Sequence, residues 1–243
     1  MRVLVIPDVH LKPYMFGRAS EIIEKEKVEK AVCLMDIADD FKQQFNLDLY
    51  EQTYDAAIQF AKDHPGTLWC YGNHDLCYPW QQRESGYSPI APRLVCEKLK
   101  KLEEAVSDPG DIAYIHRIDN VLFCHGGLAE AFVQKNVPEE YWNETDQVLE
   151  IVNSFGTGRM WQELSPIWYR PQYYEGSLYK EDTFLHVVGH TPMERITREG
   201  NLISCDVFST RSDRSPYGNC EYLLLDTETW EYHGVPYSIP GSE

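Results

Sequence analysis

Short apolar runs in this sequence are each followed at once by a side chain that can hold a metal ion or move a proton. They read Val-Ile-Pro-Asp8-Val-His10, Cys-Leu-Met-Asp36-Ile-Ala-Asp39, Cys-Tyr-Gly-Asn73-His74-Asp75, Leu-Phe-Cys-His125-Gly-Gly and Val-Val-Gly-His190-Thr-Pro. Runs of this length and type predict buried strands, and in α/β sheets ligand sites form beyond the carboxyl ends of strands. Groups far apart in sequence can therefore meet in one crevice. Asp8 and His10 are two residues apart, which at a strand end points both side chains to the same side. The set offers carboxylate and amide oxygens with imidazole nitrogens and no thiolate. That mix suits Mn²⁺, Fe or Zn²⁺ and disfavours copper(I) and iron–sulfur centres. Asp8, His10, Asp36, Asn73, His125 and His190 are too many donors for one ion, yet they suffice for two if a carboxylate bridges, and Asp36 is the natural bridge. Cation pairs roughly 3.5 to 4 Å apart are a common device for in-line hydrolysis of phosphate esters.

The ordered series D-x-H, D-x-x-D, G-N-H-D, H-G-G and G-H-T resembles the motifs of calcineurin-like metallophosphoesterases, over the chain from Asp8 to about Asp206. Phe-Cys-His125-Gly-Gly-Leu-Ala and Gly-His190-Thr-Pro, with no second histidine after Gly-His-Thr, resemble the phosphoprotein-phosphatase branch. That branch includes bacterial Ser/Thr phosphatases and diadenosine tetraphosphate hydrolases. The resemblance implies a four-layer α/β/β/α sandwich with two mixed β-sheets. It further implies that Asp8, His10 and Asp36 hold a first divalent cation, while Asp36, Asn73, His125 and His190 hold a second, manganese being the expected metal and iron or zinc the alternatives. His74 would then be the general acid that protonates the leaving alkoxide, and Asp39 would accept its other ring N–H and fix its orientation.

One position departs from the family pattern. Where the family writes G-D-x-x-D-R-G, with an arginine that clamps the substrate phosphate, this chain has Met35-Asp36-Ile37-Ala38-Asp39-Asp40-Phe41. A carboxylate at residue 40 repels a phosphate dianion unless it is turned away. The stretch from Arg159 to Arg170-Pro171 resembles the L-W-x-R segment of bacterial relatives, which nominates Arg170 first and Arg159 second as the phosphate donor.

The elements that must position these groups follow from periodicity. Strands are predicted near 2–6, 31–35, 67–71, 112–116, 121–124, 184–188, 201–205 and 221–225. Helices are predicted near 18–29, 48–63, 92–106 and 145–155. The first half reads βαβαβ, a largely parallel sheet, and the strand-rich second half implies a second sheet packed on it. No repeat or Gly/Ser linker interrupts the 243 residues, which predicts a single domain over 1–243 with loop insertions near 76–90 and 156–182.

Trp161, Trp168, Tyr169, Tyr173, Tyr174 and Tyr179 could stack a nucleobase, but packing of a loop onto the core explains such residues more simply. Gly126 and Gly127 are expected to allow a tight turn, Asp206 to be structural, and His64, His116, His186 and His233 to be surface or core residues. Cys33, Cys70 and Cys124 fall inside apolar runs and read as buried thiols.

A net charge of −17 argues against binding a nucleic-acid duplex or an anionic membrane. The apolar runs are too short to span a bilayer, and the N-terminal run is too short for a signal peptide, so the expected compartment is the cytoplasm. The expected function is hydrolysis of phosphomonoesters, with phosphoserine or phosphothreonine in proteins as candidate substrates. The alternatives are a dinucleoside polyphosphate pyrophosphohydrolase and a non-catalytic scaffold on the same fold.

Overall fold

The structure is a computed structural model and describes residues 1–237. Its strands form two mixed sheets. The first has the order β11-β10-β1-β2-β3-β4, from Tyr232–Pro236, Glu221–Asp226, Arg2–Ile6, Lys30–Cys33, Leu68–Cys70 and Ile112–Ala113. The second has the order β5-β6-β7-β9-β8, from Ile115–Ile118, Val121–Cys124, Leu185–Val188, Leu202–Ser204 and Thr197–Glu199. Parallel pairing runs from β1 through β4, as the βαβαβ pattern requires, and the antiparallel β10 and β11 extend that sheet at the β1 edge. In the second sheet β6, β7 and β9 are parallel, with antiparallel β5 and β8 at the edges.

The central strands are apolar on both faces because both faces are covered. Val3, Val5, Val32, Phe123, Val187, Ile203 and Leu223 interdigitate in a layer between the sheets. Each such side chain is worth roughly 1.5 to 3 kcal/mol when removed from water. On the outer side of the first sheet lie α1 (Tyr14–Glu26), α2 (Leu47–Asp63) and α4 (Pro92–Ala105). Outside the second sheet lie α5 (Glu130–Asn136) and α6 (Thr145–Asn153). Helix α2 shows why such segments fold as they do. The Asn46 side chain accepts the Leu49 N–H as an N-cap, and Tyr50, Tyr54, Ala57, Ile58 and Ala61 make one buried stripe.

The sequence expectations hold for most elements and fail at particular places. Helix α1 starts at Tyr14, after Pro13, and ends where Lys27 turns left-handed at φ 54°. The run predicted as one strand at 112–116 is split: β4 belongs to the first sheet and β5 to the second, with Tyr114 between them. Asn153 makes this crossover possible, its side chain accepting the N–H groups of Tyr114 and Ile115 and donating to the Ile115 carbonyl. The edge strands β8 and β11 carry polar residues and were not expected, nor was the short helix α5. All seven cysteines are free, and Cys33, Cys70, Cys77, Cys124 and Cys205 are buried. Among the described residues, no helix is long and apolar enough to cross a membrane.

Candidate metal centre

Every strand exit singled out in the sequence opens on one place. Asp8 follows β1, Asp36 follows β2, and Asn73 opens the short helix α3 (Asn73–Leu76) after β3. His125 follows β6 and His190 follows β7. Past the strand ends the first two loops stay paired: the N–H groups of Val9, His10 and Leu11 donate to the carbonyls of Met35, Asp36 and Ile37. His10, Asp36, Asp39 and His190 have φ of 41°, 42°, 62° and 60°, the left-handed region that non-glycine residues avoid. Such backbone persists only where its surroundings hold it, and it clusters at functional sites.

Asp8 and Asp36 are buried, as are Asn73, His125 and His190. Ligand atoms of Asp8, His10 and Asp36 lie within 4.8 Å of one another, and so do those of Asp36, His125 and His190. Asp36 belongs to both groups. Its Oδ2 is 3.2 Å from Nε2 of His125 and 3.8 Å from Nε2 of His10. Nε2 of His125 is also 3.1 Å from Oδ1 of Asn73 and 3.1 Å from Nδ1 of His190. The other nitrogens settle the tautomers. Nδ1 of His125 donates to the Leu34 carbonyl at 3.0 Å and Nδ1 of His10 to the Asp39 carbonyl at 3.0 Å. A carbonyl can only accept, so each ring turns Nε2 toward Asp36, the arrangement that orients metal-binding histidines.

These residues fit a pair of cations. Oδ1 of Asp8 and Nε2 of His190 are buried with no hydrogen-bond partner, a costly state that a bound ion would relieve. Burial and the neighbouring Asp206 carboxylate push Asp8 well above the usual carboxylate range. Burial acts the same way on Asp36, but the charges of His125 and His74 outweigh it and hold that carboxyl below its usual value. Burial and the nearby His125 hold His190 well below the usual imidazole range. The motif glycines keep the carboxylates in place by lacking a side chain. A Cβ on Gly72 would sit 2.0 Å from Oδ1 of Asp36, and one on Gly189 would sit 1.9 Å from Oδ1 of Asp8.

His74 borders the same space. Its backbone N–H donates to Oδ1 of Asp36 at 2.9 Å, and its Nδ1 lies 2.9 Å from Oδ2 of Asp39. Burial disfavours the charged ring, yet Asp36 and the bond to Asp39 raise His74 to about 9. A cavity of ≈ 170 Å³ opens here, lined by His10, Asp36, His74, Arg170 and His190 among others. Arg170 reaches it from the 156–182 segment, Nη1 donating to the His190 carbonyl at 2.6 Å and to the Thr191 hydroxyl at 3.3 Å. Arg159 is not brought here. Its guanidinium lies 4.5 Å over the Phe155 ring, a cation–π contact at the outer layer.

The aromatic stretch packs rather than presenting a platform. Trp168 stands edge-on to the His190 ring at 5.5 Å and to Trp161 at 5.1 Å, and Tyr169 and Tyr179 are buried. Only Tyr173 and Tyr174 of that set are exposed. Gly126 serves close approach rather than a turn, its N–H donating to the Pro166 carbonyl at 2.6 Å. His186 is buried in β7 with Nε2 bonded to the Tyr179 carbonyl.

Several further residues at the site were not among the candidates for its chemistry. Asp75 accepts the N–H groups of Ile37 and Gly72, tying the Asp36 loop to the start of α3. Asp206 lines the cavity and is held by both Ser209 groups. Lys12 pairs with Asp40 at 3.4 Å. Asp75 ends the G-N-H-D motif, and Asp206, expected from the sequence to be structural, lines the cavity instead.

A cold-active protein-tyrosine phosphatase of a psychrophilic Shewanella species shares the fold at a TM-score of 0.57 and 18% identity, over 96% of this chain and 80% of that one. A metallophosphoesterase from Sphaerobacter thermophilus aligns at a TM-score of 0.48 and 15% identity, over 98% and 90%. No curated protein matches the sequence significantly. Residues 1–228 match the family described as calcineurin-like phosphoesterase, and the chain belongs to that family.

Proposed function

We propose that this phosphoesterase is a metal-dependent phosphatase that hydrolyses phosphomonoesters, with phosphoserine or phosphothreonine in proteins as candidate substrates. The observation that carries the reading is the position of Asp36. It is shared by both donor groups while its other oxygen accepts the backbone N–H of His74. Asp8, His10 and Asp36 would hold one cation, and Asp36, Asn73, His125 and His190 the other. When bound, such a pair supplies positive charge that neutralises the phosphate and makes a water acidic enough to attack near neutral pH. The remaining steps belong to the protein.

His74 donates a proton from Nε2 to the departing oxygen. Asp39 accepts the Nδ1–H, which leaves Nε2 as the atom facing the cavity and stabilises the charged ring. Arg170 uses Nη1 on the backbone, and its Nε and Nη2 make no hydrogen bond among the described residues. Those donors would take phosphate oxygens in the manner of a guanidinium fork. Tyr169 and Tyr179 are buried and Trp161 and Trp168 pack edge-on, so most of the aromatic stretch is engaged in packing rather than held open for a base, which supports monoesters over dinucleotides.

The test is a side-by-side assay of a phosphoserine peptide, p-nitrophenyl phosphate and diadenosine tetraphosphate with Mn²⁺ added. Faster turnover of the monoesters is expected. Preference for the dinucleotide would replace this reading, and a manganese-loaded protein inert on all of them would support the scaffold. His74→Asn should lose turnover, by roughly 10²- to 10⁴-fold on an alkyl phosphate, with its metal content unchanged.

A further inference from the structure

We infer that Tyr50 and Tyr78 are positioning residues that act through Asp39 to fix the ring of His74 in its proton-donating orientation. The inference rests on the reading of His74 as the acid. Asp39 is buried and has two oxygens to satisfy. Oδ2 faces Nδ1 of His74 at 2.9 Å, and Oδ1 accepts the hydroxyls of Tyr50, at 2.6 Å, and of Tyr78, at 2.5 Å. The terminal torsion of an aspartate is soft, so an imidazole alone would not define which way the carboxylate lies. Two hydroxyl donors on the opposite oxygen do define it.

The direction of the Tyr78 proton is set from behind. Its oxygen accepts the Ser88 N–H at 2.9 Å, so its own proton is the one left for Asp39. The Ser88 hydroxyl in turn donates to the Gln44 carbonyl, and the Tyr78 ring stacks on Tyr87 at 4.6 Å. Tyr50 comes from the buried stripe of α2 and meets Asp39 from the core side. The 76–90 segment, which reads as a surface loop in the sequence, is thus joined by a chain of hydrogen bonds to the group that moves the proton. A merely structural pair of tyrosines would need no convergence on the one oxygen that opposes His74.

The experiment compares an alkyl phosphate, glycerol phosphate, with p-nitrophenyl phosphate on the manganese-loaded full chain. A phenolate leaves without much help from an acid and an alkoxide does not. Tyr50→Phe and Tyr78→Phe are each expected to lower kcat on glycerol phosphate roughly tenfold more than on p-nitrophenyl phosphate, in the same sense as His74→Asn. A second readout, on the full chain loaded with diamagnetic Zn²⁺, is the Nδ1–H resonance of His74, expected to lose its protection from solvent exchange in both variants. Equal losses on the two esters, or no loss with the resonance intact, would overturn the inference. If His74→Asn is selective between the esters and the tyrosine variants are not, this inference alone fails. If His74→Asn loses both equally, the acid assignment falls and takes the inference with it. Tyr50→Phe guards against misfolding of Tyr78→Phe, since the Tyr50 hydroxyl supports no backbone group.

Discussion

The ammonium of Lys12 lies 3.4 Å from Oδ2 of Asp40, with side chains only 10% and 13% exposed. Asp40 also accepts the Thr210 hydroxyl and the Phe41 N–H, and it lines the cavity while Lys12 does not. The family's phosphate-clamping arginine is absent at this position, and the carboxylate that replaces it is neutralised by a lysine two residues past His10. The repulsion expected from the sequence is thereby cancelled locally.

Removing that lysine should expose the repulsion. Lys12→Met is expected to raise KM for a phosphomonoester several-fold and to cost on the order of 3 kcal/mol of stability by leaving a nearly buried carboxylate unpaired. Lys12→Met combined with Asp40→Asn should recover most of both. Steady-state kinetics and urea unfolding of the two proteins provide the check. A double variant no better than the single would show that Lys12 has another role.

The shared position of Asp36 predicts how cations are lost. Asp36→Ala should bind neither ion tightly, whereas Asn73→Ala and His10→Ala should each keep about one per chain. Elemental analysis after gel filtration distinguishes these outcomes. Chelation of the native protein should lower its melting temperature, and Mn²⁺ should restore it, because an ion that binds only the folded state stabilises that state.

Space, rather than backbone freedom, makes Gly72 and Gly189 indispensable. Gly189→Ala must displace Asp8 and Gly72→Ala must displace Asp36, since the added carbon would meet each carboxylate at about 2 Å. Both variants are expected to lose metal and at least roughly tenfold in kcat, as small misplacements at a reacting centre do. Wild-type metal content in either would show that the carboxylate loops can yield.

The pH dependence of stability carries the mark of His186. Burial lowers its pKa from 6.5 to about 4, against the opposing bond to the Tyr179 carbonyl. The unfolded chain therefore binds the proton first as pH falls. Stability is full above about 6.5 and declines down to about 4, by on the order of 3 kcal/mol for this group. His186→Gln, which keeps a donor for the Tyr179 carbonyl, should flatten the slope in that window relative to wild type. Identical slopes in denaturant titrations would refute the assignment.

The site was legible because its chemistry sits where strands end. Asp8, Asp36, Asn73, His125 and His190 each follow a short apolar run that reads as a buried strand, and the ordered motif series they form resembles a known family, which together brought them forward as candidates. Residues that act from outside those exits left no such trace. Tyr50 is one member of a helical stripe whose other members merely pack, and Tyr78 and Lys12 are marked only by contacts made across the fold. The division at Tyr114 was hidden because a continuous strand and two strands in different sheets share the same apolar alternation. Edge strands β8 and β11 escaped because solvent on one side permits residues such as Arg198, Glu199 and His233 that a buried strand excludes. The sequence ranks Arg170 ahead of Arg159, and the path of the loop brings only Arg170 to the cavity.

Asp8, His10, Asp36 and Asn73 come from the first sheet, and His125 and His190 from the second. Cations bound there would therefore act as a rivet through the two halves of the sandwich, and their tightness would gauge the alignment of the sheets. A substitution deep in the apolar layer that lets one sheet slide by a fraction of an ångström would register as leakage of ions long before the protein melts.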